Sequence, residues 1–386
     1  AAFIRTQIEL ARRPEHGSLW TTCRQQNPNA ILGWSLTYPL PKLPACFSWQ
    51  GHRTRRGFSW KASVIDAATV GKHTADLFLA APIQALEFDH SSGVKKRLAE
   101  LVENPHFTKI RRLEFSLTRF EEREAALLGA SPQLANLTEL AFADHALAAE
   151  GLSELAASPL GARLTDLELE RAALPPALLV DALAAAPMGS LRKLVLADCL
   201  LPAADAAHLV SLPFVQTLET LDLSENPLHG EGLAAIANSR TLGSLEIFKL
   251  GRTYPGVPGI QTLAESRSLG RLRWLDLSAN RLGPVAVRIL AGSRLAGGLR
   301  VLDLSNNPIG NPGALALAGS SNLDGLRELV LRNCEIREEG AAALVESPHL
   351  GELLRLDLRD CTMLPLGPEI QRKLRTRFGP RVAFDL

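Results

Sequence analysis

The sequence predicts a right-handed, curved α/β solenoid, with parallel strands on its concave face, helices on its convex face, about eleven repeats and a cap at each end. Two observations carry this. A pattern L-x-x-L-x-L returns in constant steps of 27, its middle position falling at Leu86, Leu113, Leu140, Leu167, Leu194, Leu221, Phe248, Leu275, Leu302, Leu329 and Leu356 without insertion. After each copy comes a stretch of A-x-x-L-A type, whose apolar spacing is helical. Within the pattern, L-x-L alternation turns one face of a short strand inward. One such unit cannot bury its own apolar face and needs neighbours. Strands stack about 4.8 Å apart and helices are wider, so the stack bends with the strands inside.

The copies LETLDLSENPL (218–228), LRWLDLSANRL (272–282) and LRVLDLSNNPI (299–309) resemble the leucine-rich-repeat pattern L-x-x-L-x-L-x-x-N-x-L. Trailing segments such as GNPGALALAGSSNL are similar to the helical half of its ribonuclease-inhibitor-like subclass. The resemblance covers roughly residues 80–365. It implies that the fifth residue after each anchor turns inward and bonds turn backbone. That column reads Ser91, Thr118, His145, Ala172, Cys199, Asn226, Thr253, Asn280, Asn307, Cys334 and Cys361. Asn226, Asn280, Asn307, Cys199, Cys334 and Cys361 are therefore expected as a structural ladder. Cys334 and Cys361 read as buried thiols rather than a redox pair, and His145 as a satisfied interior histidine.

The elements follow in chain order. Residues 1–56 read as an N-terminal, Trp-rich cap that begins with a helix over Phe3–Arg13. FIRTQIELAR, the Trp-rich stretch with Trp20, Trp34 and Trp49, and RRGFSW are similar to the end of a short companion domain. That domain precedes such repeats in a family of bacterial proteins; its tyrosine–alanine–aspartate–tryptophan signature is absent here. The resemblance implies a bacterial, intracellular protein. Residues 57–365 read as the solenoid, opened by a degenerate copy with a strand near Phe58–Ala62 and a helix near Thr69–Ala80. Counting back 27 from Leu86 places its anchor at Ser59. Residues 366–386 read as a C-terminal cap, a helix over about Pro368–Phe378 and a last strand around Ala383, 27 beyond Leu356.

In a solenoid, function sits on the exposed strand positions. Over the first four repeats these include Glu87, Asp89, Glu114, Glu139, Asp166, Glu168 and Glu170, opposed only by Arg112. Like charges on neighbouring strands cost free energy, so this acidic front suits a partner's basic surface. The residues directly after the anchors, including Asp222, Asp276, Asp303 and Asp357, belong to L-D-L-S and read as soluble filler. The residues directly before the anchors bring Ile247, Trp274 and Val301 into successive repeats, an apolar row of hot-spot composition. Tyr254, in the divergent loop GRTYPGVPG, extends that row toward the rim.

Composition excludes several function classes. A net charge of +1 gives no whole-chain case for nucleic acid or membrane, and no apolar run reaches spanning length. Five cysteines in 386 residues are no disulfide scaffold and point to a reducing, cytoplasmic setting. Ala1 in place of an initiator methionine suggests a fragment or a processed chain. Phosphate loops, H-E-x-x-H, G-x-S-x-G and zinc-spaced cysteine pairs do not occur, so no enzyme, metal or cofactor is expected. The expected function is non-catalytic protein binding in the concavity, without a membrane, nucleic-acid or small-molecule ligand. One alternative is a recognition or regulatory subunit of a bacterial assembly whose enzyme is another chain. A second is nucleic-acid binding through the basic cap residues Arg12, Arg13, Arg24, Arg53, Arg55 and Arg56.

Overall fold

The computed structural model describes residues 43–44, 46–49, 54–55, 58–59, 61–80, 83–172, 174–185, 188–361, 366–379 and 382–384. The expected helix over Phe3–Arg13, with Trp20, Trp34, Arg12, Arg13, Arg24, Arg53 and Arg56, lies outside the described residues. Two compact units are present, unit 1 at residues 1–167 with 185–188 and unit 2 at 168–184 with 189–386. No helix among the described residues is long and apolar enough to cross a membrane.

In unit 1, β1 (Phe47–Trp49) lies antiparallel on β4 (Lys61–Val64), while β2 (Thr54–Arg55) and β3 (Phe58–Ser59) form a separate antiparallel pair. From β4 onward the order is parallel: β5 (Ala85–Phe88), β6 (Arg112–Ser116) and β7 (Glu139–Ala143). The division between units falls within β8 (Asp166–Glu170), after its anchor Leu167. Unit 2 continues in parallel through β9 (Lys193–Val195), β10 (Thr220–Asp222), β11 (Ile247–Lys249), β12 (Trp274–Asp276), β13 (Val301–Asp303), β14 (Glu328–Val330), β15 (Arg355–Asp357) and β16 (Val382–Ala383). A short helix follows each anchored strand. This is an α/β solenoid of parallel rungs; since rungs sit about 4.8 Å apart and packed helices 8–10 Å, such a ladder bends toward its strands.

The register obeys the period. Leu86, Leu113 and Leu140 are direct partners in unit 1, and Leu194 through Leu356 in unit 2. These anchors are 2% exposed or less. Both ends slip against the expected phase. Leu86 pairs with Ala62, so the first rung is anchored there and not at Ser59, a full step back. Ser59 belongs to the β2–β3 hairpin instead. At the other end Leu356 pairs with Val382, which puts Ala383 one place beyond the anchor. Each of these end rungs has a repeat on one side only, β4 meeting the antiparallel β1 on its other side, so the internal spacing is not imposed on them. The C-terminal helix spans Pro368–Phe378, as its pattern predicts.

The two units fill the inner layer differently. In unit 1 the second residue after each anchor is Phe88, Phe115 or Phe142, whose rings stack at 5.5 and 5.4 Å between centroids. Phe120 packs 4.7 Å from Phe115. In unit 2 the same column is leucine, and order comes from the turn. The fourth residue after the anchor has φ between +50° and +62° in all ten repeats from Leu113 to Leu356. That left-handed step aims the next side chain inward. Asn307 Oδ1 accepts from the Asn280 and Leu282 amides at 2.9 Å, and its Nδ2 donates to Leu277, Leu304 and Ser305 carbonyls. Asn280 accepts from Thr253 and Tyr254, and Asn226 from Cys199 and Leu201. Cys199, Cys334 and Cys361 donate Sγ–H to Leu169, Leu304 and Leu331 carbonyls at 3.0, 3.1 and 2.7 Å. Burial pushes the Cys199 and Cys334 thiols up to about 11 and about 12, so neither is an ionised nucleophile at neutral pH.

His145 is a correction. It is exposed with φ +66°, not interior, and Ser91 in the same column is exposed as well, its Oγ–H donating to Asp89. Phe120 and Phe142, 5.9 Å apart, already fill the space beneath that turn. The helix layer has a regular contact of its own. Ser239, Ser266, Ser320 and Ser347 each donate to a helix-end carbonyl 29 residues back. At Gly232 an added Cβ would stand 3.2 Å from Ala203 Cα, which is why a glycine lets neighbouring helices close up there.

Candidate partner-binding face

In unit 1 the predicted carboxylates meet cations supplied by the strand face itself. Because β4 starts three residues late, Lys61 stands directly before its anchor, two rungs from Arg112. Its side chain is 4% exposed; Nζ bonds the Glu114 carboxylate and lies 3.3 Å from Glu87. Ser63 also donates to Glu87 at 3.0 Å. Arg112 reaches Glu114 at 2.6 Å and Glu139 at 3.6 Å. Burial works to raise the Glu114 pKa, but Arg112 and Lys61 outweigh it and hold the carboxyl below its ordinary value. Asp89 caps a short helical turn, accepting from Ser91 and Ser92 amides, and Ser91 Oγ–H bonding depresses its pKa. Asp166 accepts from Thr165 Oγ1 at 2.8 Å. The expected imbalance of carboxylates against Arg112 alone is thus corrected by Lys61, which counting in steps of 27 had left out of the face.

In unit 2, Lys193 Nζ lies 2.5 Å from Glu168. Burial, then the neighbouring Glu168 charge, raises the Glu170 pKa. Further along, Ile247, Trp274 and Val301 are direct partners on β11, β12 and β13, each half-buried. The column directly after the anchors reads Asp222, Lys249, Asp276, Asp303 in register, the first buried and the others half-buried. Lys249 binds Asp222 at 3.1 Å. Arg355 bonds Glu328 and, with Arg359, Asp357. Asp276 and Asp303, adjacent to each other, have no ion pair among the described residues. Burial raises the Asp303 pKa, aided by Asp276 and Glu328.

These aspartates do more than keep the strand soluble. Asp222, Asp276 and Asp303 each accept from the backbone amide two residues on, at 3.0, 2.8 and 2.8 Å, which sets the turn that leads to the inward asparagine. Their repeated place in L-D-L-S is the sequence signal for that role. The third residue after the anchors is small: Ser224, Gly251, Ser278, Ser305. A Cβ at Gly251 would sit 2.9 Å from Ser278 Oγ, so this strip is closely packed. Beyond it Tyr254, 41% exposed and at φ +56°, stands at the rim with Arg281 5.4 Å from its ring centroid and His229 6.4 Å away. The face therefore offers, strip by strip, apolar side chains, two carboxylates, a small-residue floor and an aromatic edge. No group of His, Cys, Asp and Glu among the described residues is arranged to hold a metal.

A family model described as a leucine-rich repeat matches residues 216–237, 299–318 and 326–345. It describes a repeat and not a catalytic family. No curated protein matches the sequence. Among solved structures, a yeast Rad7–Elc1 complex is similar at 17% identity and TM-score 0.47, over 78% of this chain and 85% of that one. An internalin from Listeria monocytogenes is similar at 17% identity and TM-score 0.40, over 73% and 82%. Each match spans an anchor, Leu221, Leu302 or Leu329, and anchors pair at a constant step within each unit, so the chain carries leucine-rich repeats.

Proposed function

We propose that the chain is a non-catalytic protein-interaction module and that the concave strand face of unit 2 grips a partner protein. One observation carries this reading: Ile247, Trp274 and Val301 stand side by side on adjacent rungs, and the half-buried Val330 next to Asp303 adds to the apolar area of the face. An apolar row with a central tryptophan and a polar surround is the composition of a binding hot spot. Tyr254 extends it to the rim. Steering of a basic surface falls to carboxylates that keep an unbalanced field, Asp276 and Asp303, since Glu87, Glu114, Glu139 and Glu168 have cations of their own. Cys46, Cys199 and Cys334 are buried thiols, which suits the reducing cytoplasmic setting included in this proposal.

The test is Trp274→Ala in the full chain, measured against the partner that co-purifies with the native protein. Calorimetry should show binding weakened by about 2 kcal/mol, roughly thirtyfold. The melting temperature should change little, because the side chain is only half-buried. Unchanged affinity in a folded variant removes the anchor and with it the reading.

A further inference from the structure

This inference rests on the concave-face reading and names what occupies the face. We propose that the strand face around Trp274 receives an amphipathic α-helix of the partner, laid along the ladder, its apolar stripe on Ile247, Trp274 and Val301 and its Lys or Arg residues, three or four apart, over Asp276 and Asp303.

Width comes first. The apolar row and the small-residue strip are four residues apart, the first steps in the strand and the last in the turn, so at most about 13 Å separates them. An α-helix with its side chains is about 10–12 Å across. Ser224, Gly251, Ser278 and Ser305 present little bulk, so a rod can come close to the sheet there. Tyr254 stands on the far side as a second wall.

Charge decides the sign of the guest. Asp276 and Asp303 are direct register partners with no ion pair among the described residues: Lys249, beside Asp276, binds Asp222 instead, and the neighbour of Asp303 is the uncharged Val330. A guest that brings ammonium or guanidinium groups relieves their repulsion; an acidic guest deepens it.

Spacing decides the guest's conformation. The two carboxylates are one rung apart, about 4.8 Å. Helical residues three or four apart rise about 4.5 or 6.0 Å, bracketing one rung. Same-face residues of an extended chain are about 6.7 Å apart, an overshoot of nearly 2 Å at every rung. The bend brings groups above the face closer still, which worsens the fit of an extended guest. Helix-in-groove docking follows.

The probe is a displayed library of random peptides about 16 residues long, selected on the full chain. Enriched sequences should place apolar residues at i, i+3 or i+4 and i+7, with Lys or Arg three or four apart. A central proline should weaken a selected peptide by at least about tenfold, because it breaks the helix. Asp276→Asn with Asp303→Asn keeps the oxygens that accept the Ser278 and Ser305 amides. This double variant should bind about tenfold more weakly and with less salt dependence. Apolar residues alternating at i and i+2, or indifference to proline, overturn the helix. Full affinity in the double variant overturns the charge pairing. If no enriched peptide depends on Trp274, the concave-face reading goes, and this inference with it.

Discussion

Asn280 makes hydrogen bonds that no surface residue could replace. Its Oδ1 accepts from Thr253 and Tyr254 amides, and its Nδ2 donates to the Leu250 carbonyl, all within a 2% exposed site. One of those amides belongs to Tyr254, so the same asparagine holds the left-handed turn that lifts the rim aromatic. Asn280→Ala strands the Thr253 and Tyr254 amides, while the Leu250 carbonyl keeps the Thr253 hydroxyl as its donor. It should lower stability by about 3 kcal/mol in urea unfolding. A loss within a few tenths of wild type means that the ladder is ornamental. This column is readable in the sequence because the same inward slot recurs in every repeat. Ser91 and His145 are the exceptions, both exposed: around His145 the apolar columns carry the larger rings of Phe120 and Phe142, a difference of side-chain size that the period does not record.

At the scale of one element, β4 changes the charge of the face next to it. Lys61 bonds Glu114 and lies beside Glu87, which are partners on adjacent strands. Lys61→Met leaves the two carboxylates opposed and should cost about 2 kcal/mol at pH 7. The pH dependence has a definite sign. The Glu114 pKa in the fold lies below its ordinary 4.5, so its contribution is complete above that value and is lost as pH falls through the folded pKa. The deficit of Lys61→Met should therefore shrink as acid protonates the glutamates, read from urea midpoints between neutral pH and about pH 3. A deficit independent of pH points to lost packing alone. Sequence periodicity missed this residue because β4 is three residues out of phase. The signal that remained was chemical: an isolated lysine at the start of KASV, alternating into an apolar strand.

Over the whole molecule, stability in a repeat ladder is a sum of rungs and rung–rung contacts, so an end is a place from which unfolding spreads. The C-terminal helix buries Leu374 and Phe378 at 0% and 6% exposure. Its Arg377 donates to the Val345 and Ser347 carbonyls of the preceding repeat. Phe378→Ala should cost about 3 kcal/mol locally. Hydrogen exchange should quicken in β16 and β15 well before it changes in β12. Uniform acceleration from β9 to β16 would instead make unit 2 a single cooperative block. The central rungs are thus insulated from damage at that end, and the partner-binding face proposed here lies on them.

What the sequence determined by itself is the repeating part of the molecule: strand class, anchors and their rung-to-rung register, the inward asparagines and cysteines, and Ile247, Trp274 and Val301 falling into one row. Each is a contact made again at every rung, so the chain records it as a period. What only the tertiary structure decided is the balance of charge on the face. Lys61 comes from an out-of-phase cap rung to meet Glu87 and Glu114, Lys249 turns to Asp222, and Asp276 with Asp303 is left without an ion pair among the described residues. Ion pairing depends on distances between side chains of different rungs, and their cations obey no period.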